Sequence, residues 1–221
     1  MACPHYTLCM TVKEFWMDPY KTESVAHVTS VDGADIQLDR TIFFAFSGGQ
    51  ESDSGTIAGF EVLKAEKRNK DIVYTLKPEH SLKIGDKVTV KINWERRHRL
   101  MRLHFAAELV LELICQKFPD TEKVGAHIAQ DKARIDFQWP ENISKILPDI
   151  QAAAQKIIDS SQPIISDFSD QESERRFWKI EEFSQVPCGG THLANTKEIG
   201  KIKLKRVNPG KGKERVEIFV D

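Results

Sequence analysis

Two short segments, far apart in the chain, carry side chains suited to binding one metal ion, and any fold that unites them is tightly constrained. Near the C-terminus stands Cys188-Gly189-Gly190-Thr191-His192, a thiol and an imidazole four residues apart with paired glycines that let the backbone turn tightly between them. One such pair is half of a tetrahedral zinc site, which takes four donors. The other half stands upstream, in the strongly helical run Arg97-His98-Arg99-Leu100-Met101-Arg102-Leu103-His104-Phe105-Ala106-Ala107-Glu108-Leu109-Val110. His104 and Glu108 are four apart there and project from one helical face. Two imidazoles, a thiolate and a carboxylate together make a zinc sphere. Taken alone, Cys188 also reads as a small core residue and His192 as a helix cap.

The length of 221 residues suffices for one large domain or two modest ones. Hydrophobic and charged content are those of a globular protein. A formal net charge of -1 advertises no global field for nucleic acid, and no DNA partner is expected. Cys3, Cys9, Cys115 and Cys188 are too few and too scattered for a disulfide scaffold, which points to a reducing cytoplasm. No run approaches the roughly 20 apolar residues of a membrane span. Met1-Ala2-Cys3-Pro4-His5-Tyr6 lacks the basic and apolar regions of a secretion signal.

The pattern predicts an α+β fold with two domains. Residues 1–93 read as a small β-barrel of about six short strands. Ala26–Val31 and Ala34–Leu38 flank Asp32-Gly33, a hairpin signal because both positions accept positive φ. Thr41–Phe46 reads as a buried strand. Thr56–Leu63 and Asp71–Leu76 read as a pair joined by a charged loop at 65–70, and Lys87–Trp94 closes the series. The loop Ser47-Gly48-Gly49-Gln50-Glu51-Ser52-Asp53-Ser54-Gly55 has no large apolar side chain. On its own it reads as a hairpin loop with Asp53 capping its turn. The alternative is a ligand loop, with Gln50 and Asp53 offering hydrogen bonds.

Residues 94–221 read as helices packed on a mainly antiparallel sheet. The long helix Glu95–Lys117 has an apolar face at Leu100, Leu103, Ala107, Val110, Leu111 and Ile114. Its first turns hold Arg96, Arg97, His98, Arg99 and Arg102, read as a solvated face or as a phosphate contact. A hairpin follows over Lys123–Ala129 and Ala133–Trp139, then a helix over Ile143–Ser161. Pro163–Phe168 reads as a strand and 170–176 as a charged loop or short helical turn. Strands Ile199–Val207 and Glu214–Val220 end the chain. Lys201, Lys203 and Lys205 share one strand face, suited to phosphate or to blocking edge aggregation.

Three stretches together are similar to one family, the stand-alone alanyl-tRNA editing proteins (AlaX). These are relatives of the editing domain of alanyl-tRNA synthetase and of the second additional domain of threonyl-tRNA synthetase. Phe43–Ile57 resembles the family's glycine-rich loop, and Met101–His104 with Ala106 resembles its first metal motif. Cys188-Gly189-Gly190-Thr191-His192, continuing through Asn195-Thr196 and Glu198-Ile199-Gly200, resembles its second at nearly every position.

The resemblance implies hydrolysis in trans of mischarged aminoacyl-tRNA, with seryl- or glycyl-tRNA for alanine as substrate and Zn²⁺ as the cofactor. It implies His104, Glu108, Cys188 and His192 as metal ligands, with Gly48, Gly49, Gln50 and Thr191 at the substrate pocket. No single catalytic residue follows from it. The first motif departs from the family pattern His-Thr-Ala-x-His, reading His104-Phe105-Ala106-Ala107-Glu108. A carboxylate thus stands where the second imidazole is usual. Two other readings stay open: a catalytically weakened tRNA-binding module, and a zinc hydrolase of a small ester or amide.

Overall fold

The computed structural model describes residues 11–210 and 212–221. Met1–Tyr6, Cys3, Cys9 and Lys211 lie outside the described residues. Strands β1 (Val12–Lys13), β2 (Glu23–Asp32), β3 (Asp35–Leu38), β4 (Arg40–Thr41), β5 (Gly55–Ile57), β6 (Phe60–Arg68), β7 (Asp71–Leu76) and β8 (Lys87–Ile92) come first. Six of them pair in the order β2-β3-β7-β6-β5-β8, and β8 pairs back onto β2 from Glu23↔Lys91 to His27↔Lys87. Alternation explains this ring: Ala26, Val28, Ile36, Leu38, Ile57, Leu76, Val88 and Val90 are buried while the residues beside them along the chain are not.

Two expectations for this region are corrected. Strand character at 41–46 stops at Thr41, where β4 pairs with β1, although Ile42, Phe43, Phe44 and Ala45 are buried. Side chains satisfy the backbone there in place of a neighbouring strand. Asp53 Oδ2 accepts from Phe44 N at 2.7 Å, and the Arg97 guanidinium donates to Ile42 O at 2.6 Å. The charged 65–70 segment is not a loop but the end of β6, turning only at Asn69, whose φ is 59°.

Helix α1 (Trp94–Lys117) is followed by β9 (Glu122–Ile128), β10 (Ala133–Gln138), α2 (Leu147–Asp159), β11 (Ile165–Asp170), β12 (Arg175–Ile180), β13 (Ser184–Pro187), β14 (Ile202–Gly210) and β15 (Lys213–Val220). One antiparallel sheet runs β14-β15-β10-β9 and a second runs β11-β12-β13. The expected helix at 143–161 is divided: a 3-10 turn at Ile143–Lys145 precedes α2, whose first turn carries Pro148. The segment expected as a charged loop or short helical turn at 170–176 is a turn over 171–174, and its last two residues open β12, where Arg176, Trp178 and Ile180 are buried and alternate with less buried residues. Ile199 belongs to a 3-10 turn, Thr196–Ile199, closed by Gly200 at φ 79°, so β14 starts later than expected.

Two compact units result. One holds the described residues through Ser47 together with Ser52–Arg97; the other holds Gly48–Glu51 together with His98–Asp221. The glycine segment belongs to the second because Ile128 N donates to Gly49 O at 2.8 Å and Glu51 N to Ile128 O at 3.0 Å. No helix among the described residues is long and apolar enough to cross a membrane.

Candidate metal centre

The centre lies in the second unit, where α1 meets the turn that follows β13. Helix α1 presents His104 and Glu108 toward β12 because Leu100, Leu103, Ala107 and Val110 are buried along the same flank. Cys188 emerges one residue beyond β13, held by its N–H to Arg176 O at 2.9 Å. His192 precedes a 3-10 turn that begins with a capping box: Asn195 accepts from Lys197 N at 2.8 Å, and Glu198 accepts from Asn195 N at 3.0 Å. Between them Gly190 lies so close to His104 that a Cβ there would collide with the ring and with Gln50 Oε1. Gly190 is therefore needed for this close approach, whereas Gly189 has open space where a side chain would begin.

Among the described residues, His104, Cys188 and His192 bring donor atoms within 4.8 Å of one another. Cys188 Sγ lies 3.4 Å from His104 Nε2, and the two imidazole centroids are 5.3 Å apart. Each ring is held through its Nδ1. His104 Nδ1 faces Thr191 O at 3.3 Å, and His192 Nδ1 faces Ser166 Oγ at 2.8 Å. With a proton on each Nδ1, both Nε2 lone pairs point inward. His192 Nε2 is buried and has no hydrogen-bond partner among the described residues, the condition of a ligand atom awaiting a cation.

Glu108 stands at the edge of this triangle. Its Oε1 is 3.6 Å from His104 Nε2, and its Oε2 accepts the Trp178 indole N–H at 2.8 Å. It thus borders the three-residue cluster without being one of its members.

The charges of the centre are interdependent. Burial opposes a charged His104, but the Cys188 sulfur and the Glu108 carboxylate outweigh it and raise its pKa well above the ordinary value. Burial, then His104, then Arg176 push His192 well below that value, so its ring is neutral. Burial works to raise the Glu108 carboxyl, yet His104 and the Trp178 N–H hold its pKa below the usual one. A proton on His104 therefore stands where a cation would bind, and the donor set of soft sulfur and imidazole suits a zinc-like ion.

The expected pocket residues stand beside the triangle. Gln50 and Thr191 are both buried, and Gln50 Nε2 donates to Thr191 Oγ1 at 2.8 Å while its Oε1 accepts from Thr191 N at 3.3 Å. Gly49, at φ 89°, lies against Ala126 O, and Gly48, at φ 60°, has open space where a side chain would begin. Asp53 is not a ligand donor: with Arg97 it forms a wholly buried ion pair in the first unit. Nor is the basic start of α1 an open cluster. Arg99 donates to Gln130 O, and Arg102 donates to Ile199 O at 2.7 Å.

Residues 176–217 match the family model described as threonyl and alanyl tRNA synthetase second additional domain, and residues 3–96 match that of tRNA synthetases class II (A). The alanyl-tRNA editing protein AlaX-M of Pyrococcus horikoshii is 35% identical over 216 residues, covering 96% of this chain and 99% of that protein. The chain belongs to the AlaX-M family of alanyl-tRNA editing proteins. AlaX-M of Methanosarcina acetivorans is 33% identical over 240 residues, covering 94% of this chain and 98% of its own length. The alanine–tRNA ligase of Methanococcus maripaludis is 32% identical over 241 residues, which are 97% of this chain and 26% of the ligase.

Within this AlaX-M chain, sequence reading passed over Ser166 and Trp178. Both touch a candidate ligand through a bond between elements that are not neighbours in the chain. The one available signal was the alternation across 175–180, masked by its charges.

Proposed function

We propose that this chain is an aminoacyl-tRNA deacylase that works in trans, hydrolysing the ester between a wrong amino acid, serine or glycine, and the 3′ end of tRNA for alanine. The single observation that carries this reading is the convergence of His104, Cys188 and His192, within 4.8 Å, in a chain of this family. The ligand set is His104, Cys188, His192 and Glu108, and the ion is Zn²⁺. When bound, that ion supplies positive charge to polarise a carbonyl or acidify water.

The chain's own groups do the rest. Ser166 and the Thr191 carbonyl hold the imidazole rings in the tautomer that leaves Nε2 free. Gln50 and Thr191, locked together, form a rigid polar wall beside the centre, fit to discriminate a substrate hydroxyl. Gly48 leaves backbone open to a ribose or a short amino acid side chain, and Gly49, packed against Ala126 O, holds that turn in place. An ester of this kind is labile, so positioning contributes much of the rate.

The test is deacylation of seryl- and glycyl-tRNA for alanine, with correctly charged alanyl-tRNA as control, before and after chelation. Release of serine or glycine that stops with chelator and returns with zinc is the expected result. Equal hydrolysis of alanyl-tRNA, or indifference to chelation, would sink the reading.

A further inference from the structure

The two positions at which α1 departs from the family pattern, Phe105 and Glu108, both meet Trp178 of β12. The Trp178 indole is wholly buried. It stacks with Phe183 at 6.3 Å and meets Phe105 edge-on at 5.2 Å between centroids. Phe105 sets a second edge against the His192 ring at 5.8 Å. The Trp178 Nε1–H donates to Glu108 Oε2 at 2.8 Å, leaving Oε1 toward His104 Nε2, the same nitrogen that faces Cys188.

A carboxylate has two equivalent oxygens on a rotatable end and binds a cation through one or both. An imidazole at this place would offer one nitrogen in the ring plane and need no such choice. The buried N–H removes the equivalence, because turning Oε1 away would strand an indole donor in an apolar wall. We infer that Trp178 is a positioning residue that fixes Glu108 so that Oε1 alone is its metal donor. Phe105 holds the indole and the His192 ring in one packed set. The carboxylate and the aromatic residues are then parts of one rebuilt site: the indole supplies the orientation that an imidazole carries in its own ring. This rests on the proposed four-ligand reading.

The test is a zinc-affinity cycle, by competition with a chromophoric chelator, over the wild type, Trp178→Phe, Glu108→His and the double variant. Phenylalanine keeps an aromatic ring and removes the N–H; the indole volume lost with it is a packing cost common to both backgrounds, which the cycle cancels. The expected result is a roughly 10- to 100-fold loss in Trp178→Phe, with no further loss when Trp178→Phe is added to Glu108→His. The cobalt spectrum should change in the first case and not in the second. Equal losses in both backgrounds would mean that Trp178 is only a packing residue and would overturn the inference while leaving the ligand reading standing. Absence of zinc binding in the wild type would overturn both. Should Trp178→Phe not fold, the indole N–H resonance of the wild type, assigned through its contacts to Phe105, decides the matter. A shift on zinc addition supports the lock, and an unmoved resonance overturns it.

Discussion

At the scale of single residues, the centre is a competition between a proton and a cation. His104 holds its proton more tightly than an ordinary imidazole because the Cys188 sulfur and Glu108 face it across a buried gap. A raised pKa means that the protonated ring stabilises the metal-free fold fully below about pH 6.5, the ordinary imidazole value, and that this contribution is lost as pH rises through the folded value. A zinc ion bound in the proposed set would displace that proton. Affinity should therefore weaken on acidification, starting above the ordinary imidazole range, and calorimetry across pH in buffers of differing ionisation enthalpy should show proton release on binding. Cys188→Ala should abolish tight metal binding, measured as zinc retained after dialysis; full retention would count against the ligand set. Gly190→Ala should displace His104 and Gln50, because a methyl there has no free volume. A cost of about 1–3 kcal/mol in stability, together with weakened zinc binding, is the expected outcome by denaturation and chelator competition.

At the scale of elements, the first turn of α1 is fastened by the Arg97–Asp53 ion pair within the first unit, with both side chains fully buried. Arg97 also donates to Pro19 O at 2.9 Å, and Asp53 accepts from Phe44 N at 2.7 Å. Removing one partner leaves an uncompensated buried charge, so Asp53→Ala should cost about 3–5 kcal/mol, read from the urea midpoint. The same pair shows why local reading failed at Ile42–Ala45. Their composition is that of a strand, but the groups that satisfy their backbone are side chains from positions 53 and 97. Elements whose signal is periodicity were legible: α1 from its apolar face, the β9–β10 and β14–β15 hairpins from alternation and turn residues. Strand β12 was not, because its outward charges resemble a loop while its inward Arg176 is itself charged.

At the scale of the whole molecule, net charge and surface charge diverge. The chain sums to -1, yet Lys203 and Lys205 of edge strand β14, and Lys201 just before it, are exposed, while Ile202 is buried. If this face meets RNA phosphates, tRNA affinity should fall with added salt, with a logarithmic slope of about -0.7 to -0.9 per phosphate neutralised. Lys203→Glu with Lys205→Glu should flatten that slope in a filter-binding titration; an unchanged slope would place the contact elsewhere.

The sequence by itself determined which donor atoms are available and, through the spacing His104–Glu108 and Cys188–His192, which of them share a helical face or a turn. Those are local properties, encoded in residue type and separation. Only the tertiary structure decided that Glu108 is bonded to Trp178, that His192 is oriented by Ser166, and that Asp53 serves Arg97 and not a ligand. Such partners are chosen by which buried polar groups would otherwise go unsatisfied once distant elements pack, and no spacing along the chain records that choice.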